Sequence, residues 1–189
     1  MISFEMILGI LFASIFSENI ALIECLGTGA VLENERSSKR SIILGLGTTL
    51  VMLISTLITW PLNHFLLEKL PYLQTMAFVL VVLMVVEVIH LVAKNLLDNF
   101  CRSDFVKFAI NGAVLGICVH GAHLQFVESI ITAVSMGIGF MLTMTVYAKL
   151  KDVPVDESAI PAPFRGLPIA LLTAGMMVLA LLALQFNFQ

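Results

Sequence analysis

Apolar residues in this chain fall in six long stretches, and the charges collect between them. The stretches run from about Met6 to Leu32, Ser41 to Trp60, Leu73 to Ala93, Phe105 to Val119, Val127 to Leu150 and Leu167 to Phe186, with Pro61 closing the second. About 20 apolar residues suffice to cross a bilayer as a helix. Lipid offers no hydrogen-bond partner to a backbone, so each stretch must be helical or be broken where protein shields it. The pattern therefore predicts an all-α integral membrane protein with six transmembrane helices, forming one membrane domain over residues 1–189. Every connecting loop is too short for a soluble domain. The first stretch has no basic residue before it and no small-residue cleavage site after it, so it is read as a retained span and not a signal peptide.

Composition agrees. Of 189 residues, 59% are hydrophobic and 12% charged, roughly half the charged share of a soluble domain, and the mean hydropathy is +1.03. A soluble enzyme, a disordered tail and a secreted disulfide scaffold are excluded. Ten basic residues against 13 acidic ones give no concentrated positive face, which argues against nucleic acid as a partner. Three cysteines without paired spacing make no disulfide framework. The basic residues also set the orientation. Arg36, Lys39 and Arg40, then Lys94, Arg102 and Lys107, then Lys149, Lys151 and Arg165 follow spans one, three and five, and Lys69 alone lies on the other side. By the positive-inside rule those three loops are cytoplasmic and both termini are outside.

The second half echoes the first. Gly29-Ala30-Val31-Leu32 in span one recurs as Gly112-Ala113-Val114-Leu115 in span four, Gly45-Leu46-Gly47 in span two as Gly137-Ile138-Gly139 in span five, and Pro71 before span three as Pro168 at the start of span six. The offsets are 83, 92 and 97 residues, rising in order. Three spans per copy is an odd number, so the second copy enters the membrane from the opposite side. This predicts two inverted repeats, about 1–97 and 98–189, with the functional centre where their first helices meet. Spans one and four are the polar, glycine-bearing ones and are expected to be broken near the midplane.

Among the acidic residues, Glu18, Glu24 and Glu87 fall inside apolar spans, where a carboxylate is costly and a function is the default reading. Glu18 and Asn19 lie close to the midplane, and with Glu24 and Asn111 they form the candidate polar centre or ion pathway; the alternative for Glu18 is to cap a broken backbone. Glu87 and His90 are three apart, close enough to pair at the membrane interface. Cys118, His120 and His123 cluster at one end of span four, but their spacing matches no metal signature, and a surface turn with incidental histidines is preferred. Gly45, Gly47, Gly137 and Gly139 read as packing glycines. No phosphate loop and no set of nucleophile, base and orienter is visible, so no catalytic residue and no metal ligand is assigned.

Glu18-Asn19 followed by Leu26-Gly27, then Gly45-Leu46-Gly47-Thr48-Thr49, Asn111-Gly112-Ala113-Val114-Leu115-Gly116, Pro161-Ala162-Pro163-Phe164-Arg165-Gly166 and Leu172-Thr173-Ala174-Gly175 resemble the Rnf A / Nqr E family, over nearly the whole chain. The proline-rich loop before span six is the most specific part. The resemblance implies an inner-membrane component of an ion-translocating electron-transport complex, with six spans as inverted repeats and both termini outside. It also implies pairing with a paralogous six-span subunit, two cysteines from each chain holding a shared intramembrane iron–sulfur cluster, and docking of other electron-transport subunits on the cytoplasmic side.

The chain departs from that pattern at the ligands. The family's first cysteine follows the Leu-Gly pair by two residues, which here is Gly29; its second follows the asparagine of span four, which here is Gly112. Cys25 lies one turn before Gly29, and Cys118 lies six residues after Gly112, about 240° around a helix. Replacement of both ligands by Cys25 and Cys118 would require new backbone paths in both spans, since clusters need thiolates at set distances. No cofactor is expected from this chain itself. Two readings stand: a non-catalytic membrane subunit of an Rnf/Nqr-like complex, or a cluster-free paralogue acting as an ion or small-solute transporter or structural membrane subunit, the latter compatible with a self-pair.

Overall fold

A computed structural model describes residues 9, 14, 38–67, 69–96, 111–152, 161 and 166–187. Among them every regular element is helical: α1 (Ser38–Leu62), running on into a wider π-helical turn (Asn63–Leu67), α2 (Pro71–Leu96), α3 (Gly112–Gly121), α4 (Phe126–Asp152) and α5 (Leu167–Asn187). They correspond to predicted spans two to six; of span one only residues 9 and 14 are among those described. Three stretches, Ser41–Leu67, Tyr72–Val92 and Phe126–Lys151, are long and apolar enough to cross a membrane, and Gly112–Gly121 and Leu167–Ala180 are shorter apolar helices. The chain is thus a multi-pass membrane protein whose regular elements, among the described residues, are all helical.

One boundary differs from expectation. The second span does not close at Pro61: the helix continues through the proline to Leu62 and then widens over Asn63–Leu67. Proline removes one ladder N–H and crowds the carbonyl four residues earlier. Here two side-chain bonds hold the chain in place despite that loss, Trp60 Nε1 donating to Leu124 O at 3.0 Å and Asn63 Nδ2 to Ala122 O at 3.2 Å. Of span four, residues 105–110 lie outside the described residues. Asn111 has extended backbone (φ −115°, ψ 160°) and α3 starts only after it.

The α1–α4 pair is the most extensive contact, with α3 packed on both and α2 lying against α1 and α3. Glycine makes that pairing close. A Cβ on Gly45 would lie 2.8 Å from Met141 Cα, and one on Gly137 would lie 2.5 Å from Thr49 Cγ2. As the position on α1 advances from 45 to 49, its neighbour on α4 recedes from 141 to 137, so the helices are antiparallel. Without Cβ atoms the backbones approach as small-residue interfaces do in lipid, where association relies on van der Waals contact. This fits the packing role expected of Gly45 and Gly137.

Around the seam the core is filled by Leu44, Val51 and Met52 of α1, Phe78, Val82 and Val86 of α2, Val114 and Ile117 of α3, and Met136, Phe140, Met144 and Tyr147 of α4. Outward faces carry further large apolar residues, among them Leu46, Leu50 and Leu57 of α1 and Leu171, Leu172 and Met176 of α5. Helices apolar on both faces suit a protein whose surroundings are hydrocarbon. At the start of α5, Gly166 adopts φ +81°, a conformation glycine takes without penalty. Pro168 then sits in the first turn, where its missing N–H costs no ladder bond.

Candidate functional site

The site centres on the start of α3. Asn111 is its N-cap: the side-chain Oδ1 accepts from Val114 N at 3.1 Å, satisfying one of the free amides of the first turn. Gly112 is the first helical residue and is exposed, whereas Ala113 and Val114 are buried against the other helices. α3 has 10 residues, a rise of about 15 Å, or half the hydrocarbon thickness of a bilayer. Its far end is tied to the end of α1 by the Trp60 and Asn63 bonds to the α3–α4 turn. Counting back from that anchored end, Asn111 and Gly112 lie one 10-residue helix away from the α3–α4 turn.

Of the predicted polar centre, Asn111 is therefore placed at a helix start. Glu18, Asn19 and Glu24, with Cys25 and Gly29, lie outside the described residues. Cys118 is fully buried and faces the Thr59 and Thr56 side chains of α1. It does not belong to the surface turn with His120 and His123, both of which are exposed. The helical period explains the separation: six residues on from Gly112, Cys118 points into the bundle while Gly112 stays at its edge. Among the described residues no group of three or more His, Cys, Asp or Glu side chains is placed to hold a metal ion.

These residues do not fit an iron–sulfur cluster. Gly112 has no ligating atom, and the one thiol on α3 is turned toward α1, about 9 Å along the helix axis from Gly112. On α2, His90 is buried, and Glu87 is exposed and takes part in an interaction within the chain.

Two features were not foreseen from the sequence. One is the set of buried hydroxyl residues on the two most extensively packed helices, Thr48, Ser55, Thr56 and Thr59 of α1 and Ser129, Thr132, Ser135 and Thr143 of α4. Several are satisfied by their own helix: Thr48 Oγ1 donates to Gly45 O at 2.9 Å and Ser135 Oγ to Ile131 O at 2.6 Å. The hydroxyls of Ser55, Thr56 and Ser129 are buried without a hydrogen-bond partner among the described residues. The recurrence of Ser and Thr near whole numbers of helical turns in both spans (48, 55 and 59; 129, 132, 135 and 143) was the available signal. The other is the aromatic clamp at the end of α1, where Trp60 stacks on His64 (5.4 Å between ring centres) and meets Phe126 edge-on (4.9 Å). A lone Trp beside a proline at a span end was its signal.

Comparison with known proteins agrees with this architecture. The family described as "Rnf-Nqr subunit, membrane protein" matches residues 7–187. The chain is 34% identical over 179 residues to the A subunit of the ion-translocating oxidoreductase complex of Pectobacterium atrosepticum, covering 90% of this chain and 92% of the relative. It is 32% identical over 174 residues to the protein of the same name from Cronobacter sakazakii, covering 88% and 90%. To the A subunit of the Na(+)-translocating ferredoxin:NAD(+) oxidoreductase complex of Acetobacterium woodii it is 30% identical over 180 residues, covering 92% and 93%. With a family match over almost the full length and relatives of the same extent, the chain belongs to the Rnf-Nqr family of membrane subunits.

Proposed function

We propose that this chain is a membrane subunit of an ion-translocating electron-transport complex of the Rnf/Nqr type, in which it supplies scaffold and part of an ion path but no cluster ligands. The observation that carries the reading is the start of α3: a 10-residue apolar helix capped by Asn111, with Gly112 where the family resemblance implies a cysteine. Relatives of full matching length are named as subunits of ion-translocating oxidoreductases.

The scaffold is six spans in two inverted three-helix repeats, 1–97 and 98–189. Supporting this, the Gly45–Met141 and Thr49–Gly137 contacts are exchanged by one displacement of 92 residues, the offset of the repeated glycine pairs. Such reciprocity is the signature of a two-fold relation between copies. The nine-to-one distribution of basic residues puts both termini outside the bacterial inner membrane. Glu18, Asn19, Glu24 and Asn111 form the polar centre, and the partner is a paralogous six-span subunit or a second copy.

The test is purification of the tagged chain from its native membrane. Flavin- and iron–sulfur-bearing subunits are expected to accompany it, and the preparation to drive ion uptake into vesicles on reduction. A chain that purifies without redox subunits and moves an ion or small solute by itself in proteoliposomes would overturn the reading in favour of a cluster-free transporter.

A further inference from the structure

Serine and threonine within an apolar helix commonly return their hydroxyl to a carbonyl three or four residues earlier. On α1 and α4, Thr48, Thr49, Ser135 and Thr145 do so, at distances between 2.6 and 2.9 Å. Ser55, Thr56 and Ser129 do not. Each is at most 1% exposed, and its hydroxyl makes no hydrogen bond among the described residues.

These side chains converge. A Cβ on Gly121 of α3 would meet Ser129 Oγ at 2.6 Å and Thr56 Cγ2 at 3.3 Å, so residues of α1 and α4 border one glycine where the three helices join. Ser55 precedes Thr56 in the chain. The antiparallel register that sets Gly45 on Met141 and Thr49 on Gly137, carried along α1, brings residues 55 and 56 level with 131 and 130, within a turn of Ser129. The Cys118 thiol also faces Thr56, but sulfur is only a weak acceptor for a hydroxyl.

A buried hydroxyl without a partner is costly, and several at one point call for a ligand that can both donate and accept. Among the described residues the buried polar side chains are Ser, Thr and His90, with no carboxylate. A cation would meet neutral oxygens alone, whereas water suits them: a buried water typically makes about three hydrogen bonds to groups that would otherwise go unsatisfied.

We infer that a water molecule is bound inside the bundle where α1, α3 and α4 join, held by the hydroxyls of Thr56 and Ser129 with Ser55 as the third ligand. It ties α1 to α4 one turn before Trp60, whose indole bond reaches the α3–α4 turn. The last turn of α3 is then fixed by a polar bridge as well as by the close approach at Gly121.

Cys118 supplies the probe. The full chain, with whatever subunits accompany it, is placed in lipid nanodiscs and exposed to a short X-ray pulse; hydroxyl radicals formed from bound water oxidise the nearest reactive side chain, and mass spectrometry reads oxygen uptake at each residue. Uptake at Cys118 is expected in the native protein although the thiol is buried. In the Thr56→Val, Ser129→Ala double variant, which removes two of the three ligands with little change of shape, that uptake should fall about tenfold or more, as loss of two ordinary hydrogen bonds implies. The single variants should also shift the thermal midpoint non-additively, because both act on one bridge. Three results would each overturn the inference: no uptake at Cys118 in the native protein, undiminished uptake in the double variant, or additive midpoint shifts, the last meaning that each hydroxyl is satisfied separately by its own helix. A native midpoint that rises with sodium, and does so only while both hydroxyls are present, would replace the water with a cation.

Discussion

Gly137 of α4 rests on Thr49 of α1 so closely that a Cβ there would lie 2.5 Å from the Thr49 methyl carbon. The partner contact, Gly45 on Met141, repeats it at the other end of the same crossing. Substituting alanine at Gly137 must push two long helices apart. Overpacking of a close interface costs about 1–3 kcal/mol, so Gly137→Ala and Gly45→Ala should each lower the thermal midpoint in detergent. Because both act on one crossing, a double-mutant cycle should show non-additivity. Additive or negligible effects would contradict the close α1–α4 approach.

The Asn111 cap yields a second expectation. Asn111→Ala removes the side-chain acceptor for Val114 N, leaving only the bond to Asn111 O, and should cost about 1 kcal/mol, whereas Asn111→Asp keeps the side-chain acceptor. Thermal unfolding of the two variants in the same detergent measures the difference. Equal midpoints would show that the cap adds nothing to the start of α3.

At the other end of α3, Trp60→Phe keeps an aromatic ring but loses the indole bond to Leu124 O. One hydrogen bond of this kind contributes about 1 kcal/mol. The clamp also holds the α3–α4 turn over the π-helical segment. Trp60→Phe should therefore raise amide exchange or protease sensitivity in the Ala122–Gln125 turn before the global transition moves, and an unchanged turn would contradict the clamp.

Cys118 is buried beside Thr56 and Thr59, and thiol chemistry requires access and a thiolate. Cys118→Ser in the purified complex should leave iron content and its paramagnetic resonance signal unchanged, and labelling of the native thiol by water-soluble maleimide should be slow. Loss of a stoichiometric cluster on replacing Cys118 or Cys25 would show that a cluster is held by these cysteines after all.

Glu18 carries the prediction for ion movement. If it belongs to the ion path, Glu18→Gln should abolish ion-coupled activity in proteoliposomes while the complex still assembles. Unchanged coupling would return Glu18 to a structural role in span one.

Much of this was legible in the chain itself. Runs of apolar residues define helices in lipid because no other backbone arrangement satisfies its hydrogen bonds there, and spans three, five and six were found within a few residues at each end. The paired glycines were readable as close-packing positions for the same reason. Where local rules alone were applied, they misplaced features whose outcome depends on a distant partner. Pro61 is a helix terminator by its own chemistry, yet α1 passes through it, with bonds from Trp60 and Asn63 to a turn about 60 residues away securing the helix beyond.

Sequence determined the membrane environment, the helices and the absence of a thiol at positions 29 and 112, since each follows from side-chain chemistry at known positions. Tertiary structure decided which face each residue shows. It turned Cys118 inward to the α1 threonines and left Gly112 at the edge, and it buried His90 while leaving Glu87 exposed. Helical periodicity can say only that such residues differ in direction. Which direction is inside depends on how α1, α3 and α4 pack, and that packing was set by the close approach at Gly45 and Gly137.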